Sequence, residues 1–357
     1  MKNLKSYLTA AVCLILLFWG CRKPEENEST TNMPESGALV LNEGGWGNNE
    51  AELSVIDFTN MRITNNFFSK TNGRGLGDVA QDVVVYGGNI YVSVWGSNTI
   101  EVIDRLSGRS TIRIALVNQG PRYMTCYDGK VYVSCYSPES VIRIDTASLQ
   151  VEATCHVSGL RPEGICALGG KLYVVNSWQP DENGNVQYDS TMSVIDLASF
   201  SETAKITVGV NPQKVKAIDD THLAISYTGD YGNAPGGIAI VDVETLNVQH
   251  KTANISNIDT RDGKIYYYAH NFGQAWDGMI HVLDGNTLQE YTITMSETSG
   301  FSQQYYPYAI NIGSTNGDIY IAGAQYGANG DIYCLSPTGT LKWKLEAGPL
   351  PSKVVEF

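Results

Sequence analysis

The sequence predicts an all-β fold: a seven-bladed β-propeller, four antiparallel strands per blade, closed by pairing of the C-terminal strand with the N-terminal blade. Three observations predict it. An apolar strand recurs, closing on Asp57, Asp104, Asp145, Asp196, Asp242 and Asp284, with Ser336 closing a seventh copy. The intervals between these residues average 46.5, and propeller blades run about 40–50 residues. The composition agrees: Gly 36, Tyr 21 and only 17% charged residues describe many turns and half-exposed strands rather than solvated helices. An open β-solenoid is the competing architecture, but its repeats are usually shorter.

The chain of 357 residues opens with a short basic start, Lys2 and Lys5, then an apolar run over 8–19. That run is too short for a permanent bilayer span and suits the core of a signal peptide, residues 1–20. Gly20-Cys21 ends it. A small residue directly before Cys is what a lipoprotein signal peptidase needs, so Cys21 is the expected lipidation site. Phe18 and Trp19 are bulkier than usual there, and an ordinary secretory signal is the alternative. Residues 21–36 read as the lipidated Cys and a flexible polar tether. The propeller follows over 37–357.

Each unit divides into four strands. In the unit from Arg122, residues 123–127 and 130–136 flank an Asp128-Gly129 hairpin turn, and strands follow over 141–145 and 149–157. Gly87-Gly88, Gly169-Gly170, Asp262-Gly263 and Asn316-Gly317 mark the same turn elsewhere. The first unit, from Ala38, lacks an innermost strand, and residues 353–357 form a lone innermost strand. Pairing the two closes the ring and removes open sheet edges. No helical periodicity is evident after the signal.

The alternation of strands sorts the loops by end. The first-to-second and third-to-fourth turns share one end and are short. The second-to-third loops and the crossovers share the other and are aromatic. That face carries the candidate ligand-binding residues Trp46, Asn48, Trp95, Asn98, Tyr136, Trp178, Tyr231, Phe272, Gln274, Trp276 and Tyr326, with Arg122, Arg161, Tyr305 and Tyr306 from the crossovers. Aromatics can simply cap blade ends and pack on each other. Mixed with amides and guanidinium groups, they also suit a broad, flat, polar-rimmed ligand. Trp343 falls elsewhere, in an outer strand.

Other chemistry is weakly signalled. No zinc-protease or G-x-S-x-G motif occurs, and of the five His only His270 falls near the aromatic face. No catalytic residue, metal site or cofactor is expected. Gly73-Arg74-Gly75-Leu76-Gly77 lacks phosphate-loop spacing and reads as a flexible crossover. Asp181-Glu182-Asn183-Gly184-Asn185 departs from a calcium loop at Val186 and Met192 and reads as a polar loop. Cys126, Cys135, Cys155, Cys166 and Cys334 are an odd number, so they cannot all pair, and they are expected to be small buried apolar residues. The net charge of −13 argues against nucleic acid or an anionic lipid surface as partner.

The segments Asn211-Pro212 and Gly237-Ile238-Ala239-Ile240-Val241-Asp242, and Leu172-Tyr173-Val174-Val175-Asn176, resemble the YVTN/YncE-type propeller repeat. A basic residue followed by acidic ones after Cys21 resembles the surface-export signal of Bacteroidetes lipoproteins, with Pro24 as a departure. Together these are similar to the surface lipoproteins of the cobalamin-binding BtuG type. The resemblance implies a lipoprotein of the outer membrane, facing the cell exterior. Such a protein binds corrinoids on one propeller face, passes them to a TonB-dependent outer-membrane transporter, and touches the membrane only through its lipid anchor. It identifies no individual contact residue. A surface glycan-binding or protein-scaffolding propeller, or a propeller enzyme, is the alternative.

Overall fold

The computed structural model describes residues 32–255, 257–270 and 274–357. The signal segment, Cys21 and the tether up to residue 31 lie outside them, as does Phe272. The described residues form seven four-stranded antiparallel sheets. Blades 2 to 7 run in chain order from Ala80–Tyr86, Pro121–Tyr127, Pro162–Leu168, Pro212–Ala217, Asn257–Arg261 and Tyr306–Ile312 as their innermost strands. Blade 1 consists of Gly37–Asn42, Glu52–Asp57 and Arg62–Thr64, and Pro351–Glu356 supplies its innermost strand. The pairing is antiparallel, with Leu39 opposite Val355 and Val40 opposite Val354. The predicted closure is therefore the observed one.

The core lies between blades. Among the described residues there are seven apolar clusters, one in each inter-blade interface. Blades 7 and 1 share Tyr320, Ile332 and Cys334 with Ala38, Val40 and Ile56, so the seam is packed like the other interfaces. This explains the strand patterns. Middle strands are covered on both faces, and Gly37–Asn42 is buried throughout. Outer strands such as Ser201–Thr207 alternate between exposed and half-buried.

The recurrent Asp has a local cause. Asp145 Oδ1 accepts the N–H groups of Ala147 and Ser148 at 3.1 and 2.7 Å, and Asp242 accepts those of Glu244 and Thr245 at 2.9 and 3.0 Å. Each closes the third-to-fourth turn as an Asx turn. In the seventh blade Ser336 Oγ takes over, accepting Thr338 N–H and Thr340 N–H.

Two features differ from the expectations. The crossover into blade 2 contains a short helix, Phe67–Asn72, whose Phe67 and Phe68 are buried. Glu52 accepts its Phe68 and Ser69 N–H groups, a tertiary contact with no local sequence signature. The following Gly-rich segment is pinned, because Arg74 forms an ion pair with the buried Glu101 at 2.7 Å. In blade 4 the second-to-third loop carries an extra hairpin, Trp178–Pro180 with Val186–Tyr188. At its tip Asp181 turns its carboxylate onto the Asn183 and Asn185 N–H groups. Among the described residues no group of acidic, His or Cys side chains is arranged to hold a metal. All five described cysteines are free. Cys135, Cys155 and Cys334 are buried as expected, whereas Cys126 and Cys166 are only partly so.

A candidate ligand-binding face

The second-to-third loops and the crossovers emerge at one end of the ring. On the side of blades 1 to 4 they build a continuous aromatic arc. Trp46, at the tip of the first such loop, is 61% exposed. Its loop is shaped from below: Asp78 accepts Gly47 N–H at 3.0 Å, and Glu50 accepts Gly45 N–H at 2.8 Å. The Trp46 ring lies 4.7 Å from that of Trp95, which meets Tyr136 edge-on at 6.2 Å. Gly120 makes this approach possible. Its φ is +57, and a Cβ there would sit 3.2 Å from Trp95 Nε1 and 3.3 Å from Tyr136 Cβ.

Two guanidinium groups lie on the arc. Arg122 stacks over Tyr136 at 4.6 Å and over Trp95 at 5.1 Å. Arg161 bridges the Tyr136 and Trp178 rings at 5.2 and 4.8 Å. Arg122 also makes a bidentate pair with Glu163 at 3.0 Å for both bonds. The Tyr136 hydroxyl donates to the same carboxylate, and Arg122 Nη1 donates to Gln81. Among the described residues no carboxylate lies within ion-pair distance of Arg161.

Across the mouth, His270 stacks on Tyr306 at 5.4 Å, and Tyr306 lies 6.4 Å from Tyr308. The Tyr308 hydroxyl donates to Glu43 Oε2 at 2.8 Å. Burial pushes the Glu43 carboxyl above its ordinary range, with Tyr308 acting in opposition. Burial does the same to Glu163, and Arg122 opposes it.

The structure thus brings together Trp46, Trp95, Arg122, Tyr136, Arg161 and Trp178, and places Tyr306 opposite them. Tyr231 and Tyr326 stand at loop tips, 78% and 68% exposed. Asn48 donates to Glu50 at 3.1 Å within its own loop. The Gln274 carbonyl accepts the His270 ring N–H at 2.9 Å when Nε2 carries the proton. Asn98 is a turn builder: its φ is +53, and its Oδ1 accepts Gly120 N–H at 2.9 Å.

Two expected contact residues are corrected. Trp276 is only 5% exposed and packs edge-on against Phe301 at 5.0 Å and Tyr268 at 5.7 Å. Tyr305 donates to Asp331 Oδ2 at 2.6 Å and lies on Gly323, where a Cβ would come within 2.6 Å of its ring. Both belong to the interface between blades 6 and 7. Trp343 is off this face as expected, between Tyr320 and Phe58.

Sequence reasoning missed the polar floor: Glu43, Gln81, Tyr123, Glu163, Lys214 and Tyr308. A signal existed. Pro121-Arg122, Pro162-Glu163, Pro212-Gln213 and Pro351-Ser352 each begin an innermost strand with Pro followed by a polar residue, and Pro307-Tyr308 follows one residue into another. Such a repeated pair puts polar side chains around one rim.

Neither a family model nor a curated protein matches the chain. Among solved structures it is similar to Kuenenia stuttgartiensis hydrazine synthase, with a TM-score of 0.56 and 16% identity over 70% of this chain and 74% of that one. It is also similar to a streptogramin B lyase, with a TM-score of 0.54 and 13% identity over 77% of this chain and 84% of that one. At these identities the likeness is one of fold, the β-propeller, and the neighbours include proteins named as enzymes.

Proposed function

We propose that the protein is a lipoprotein of the outer cell surface, anchored through Cys21, that captures corrinoids on the aromatic face and passes them to a TonB-dependent outer-membrane transporter. One observation carries the reading: the arc from Trp46 through Trp95 and Tyr136 to Trp178, with Arg122 and Arg161 laid on it. A corrinoid is a broad macrocycle fringed with amides. Its apolar face suits Trp and Tyr, and its rim suits guanidinium and amide groups. Cobalt brings its own ligands, so the protein need supply none. The resemblance of the repeat units to the YncE type and of the leader to surface lipoproteins supports the same reading. We read it as a binding function rather than an enzymatic one; Tyr308 holding Glu43 and Arg122 holding Glu163 support that reading.

Calorimetric titration of the purified chain with cyanocobalamin tests it, beside an oligosaccharide panel. Heat of binding for the corrinoid is the expected result. Silence with corrinoids and binding to an oligosaccharide would replace it with the glycan reading. The anchor is tested separately. Cys21→Ser should move the protein from the membrane fraction to the soluble one, and retention after a high-salt wash would contradict anchoring through this residue.

A further inference from the structure

The seven innermost strands enclose a central channel with a cavity of about 190 Å³. Its wall is charged, although the blade interfaces around it are apolar. Lys353 pairs with Asp82 at 2.6 Å and Lys216 with Asp259 at 3.0 Å. Towards the aromatic mouth, Arg122 pairs with Glu163 at 3.0 Å. Lys214 is the exception. Its amine points at the Tyr123 ring, 3.7 Å from the centroid. Among the described residues no carboxylate lies within ion-pair distance of it. A cation in a confined site without a counter-ion is costly, and an anion from solution supplies one.

We infer that the channel holds a second ligand site, for a small anion bound at the amine of Lys214, with the neighbouring Tyr123 as its wall. The site lies beneath the aromatic arc and does not depend on what the arc binds. The cavity admits a carboxylate or a tetrahedral oxyanion and excludes anything of macrocycle size.

The site is proton-linked. Desolvation brings the Lys214 amine down to about 7, opposed by Asp82 and reinforced by Lys216. The other charged groups facing it are Glu163 from blade 4, Lys353 from blade 1 and Glu43 beneath the mouth. Blades 6 and 7 present the neutral Asn257 and Asn311. None of the histidines lines the cavity. A bound anion favours the ammonium form, so binding takes up a proton wherever the free amine is neutral. Affinity is therefore full below pH 7 and declines as pH rises through it.

The test is calorimetric titration of the full-length chain with sodium sulfate and, separately, sodium acetate at constant ionic strength. Both probes hold their charge from pH 6 to 8.5. At least one should bind, tenfold or more weakly at pH 8.5 than at pH 6, with proton uptake visible in buffers of different ionisation heat. Tighter sulfate assigns an oxyanion site, and tighter acetate a carboxylate site. Lys214→Met should abolish binding. Lys214→Arg should retain it and lose the pH dependence, because a guanidinium stays charged over this range. No binding of either probe at pH 6, equal affinity in Lys214→Met, or an unchanged pH profile in Lys214→Arg overturns the site.

Discussion

The two sides of the mouth are made from the same residue types and have opposite fates. On the side of blades 1 to 4, Trp46, Trp95, Tyr136 and Trp178 stay open to solvent or to one another. On the side of blades 6 and 7, Trp276 and Phe301 fold into the interface and become core, with the partly buried Tyr305 packed against them. The cause is the crossover that follows. Between blades 2 and 3 it spans only residues 116–120 and ends on Gly120, which offers Trp95 no apolar cover. Between blades 6 and 7 it spans residues 295–305 and lays Phe301 over Trp276 at 5.0 Å. A tryptophan in a loop is thus exposed or buried according to what the next crossover places above it.

Both sides of the mouth depend on a closed ring, so breaking the ring has the largest effect. Deleting residues 351–357 removes the innermost strand of blade 1 and the Lys353–Asp82 pair, and leaves Gly37–Asn42 as a free edge. Loss of the cooperative thermal transition, with aggregation, is the expected result; an unchanged transition would mean that this pairing does not hold the fold.

The next effect separates the two sides. Trp276→Ala should cost about 3–5 kcal/mol of unfolding free energy, as truncations of buried aromatics do. Trp95→Ala, at a half-exposed position, should cost about 1 kcal/mol or less. Denaturant titration of both variants decides it, and equal losses would erase the distinction. A third effect probes the floor of the open side. Glu163→Ala leaves the Arg122 guanidinium without its carboxylate and should cost on the order of 3 kcal/mol. Adding Arg122→Met should recover much of that loss, and additive losses in the double variant would show that the pair is not coupled.

The smallest effect is common to blades 1 to 6, whose third-to-fourth turns close on Asp. Hydrogen bonds hold the turn carboxylates below their ordinary range. They come from the side chains of Asn60, Ser107 and Lys130 onto Asp57, Asp104 and Asp145, and from the N–H groups of Ser199, Thr245 and Thr287 onto Asp196, Asp242 and Asp284. A depressed folded-state value stabilises above the unfolded value of about 3.9, and that contribution disappears as pH falls further. The melting temperature should decline below about pH 4. Asp242→Asn with Asp284→Asn, which keep an acceptor but cannot titrate, should flatten the decline. A slope unchanged in that variant would assign the acid lability to other groups.

The ring and its seam were legible because blades 1 to 6 repeat the same turn chemistry: the Asp that closes the turn, such as Asp145 or Asp242, recurs along the sequence. The face of the candidate site was legible for the same reason, since strand alternation fixes which loops share an end. The burial of Trp276 was not legible, because it depends on Phe301, which lies 25 residues further along the chain. The helix Phe67–Asn72 and the polar floor were not read either. Glu163 meets Arg122 across 41 residues, a pairing that only the packing of blade 3 against blade 4 creates.

We propose that the open side of the mouth, and not the folded side, binds a corrinoid. Calorimetric titration with cyanocobalamin of the wild type, Trp95→Ala, Trp178→Ala, Trp276→Ala and Trp343→Ala tests it most directly. Trp95→Ala and Trp178→Ala should each lose about 2 kcal/mol or more of binding free energy, the size of a binding hot spot. Trp276→Ala and Trp343→Ala, where they fold, should bind as the wild type does. Corrinoid binding that survives Trp95→Ala and Trp178→Ala and fails in Trp276→Ala would contradict the account.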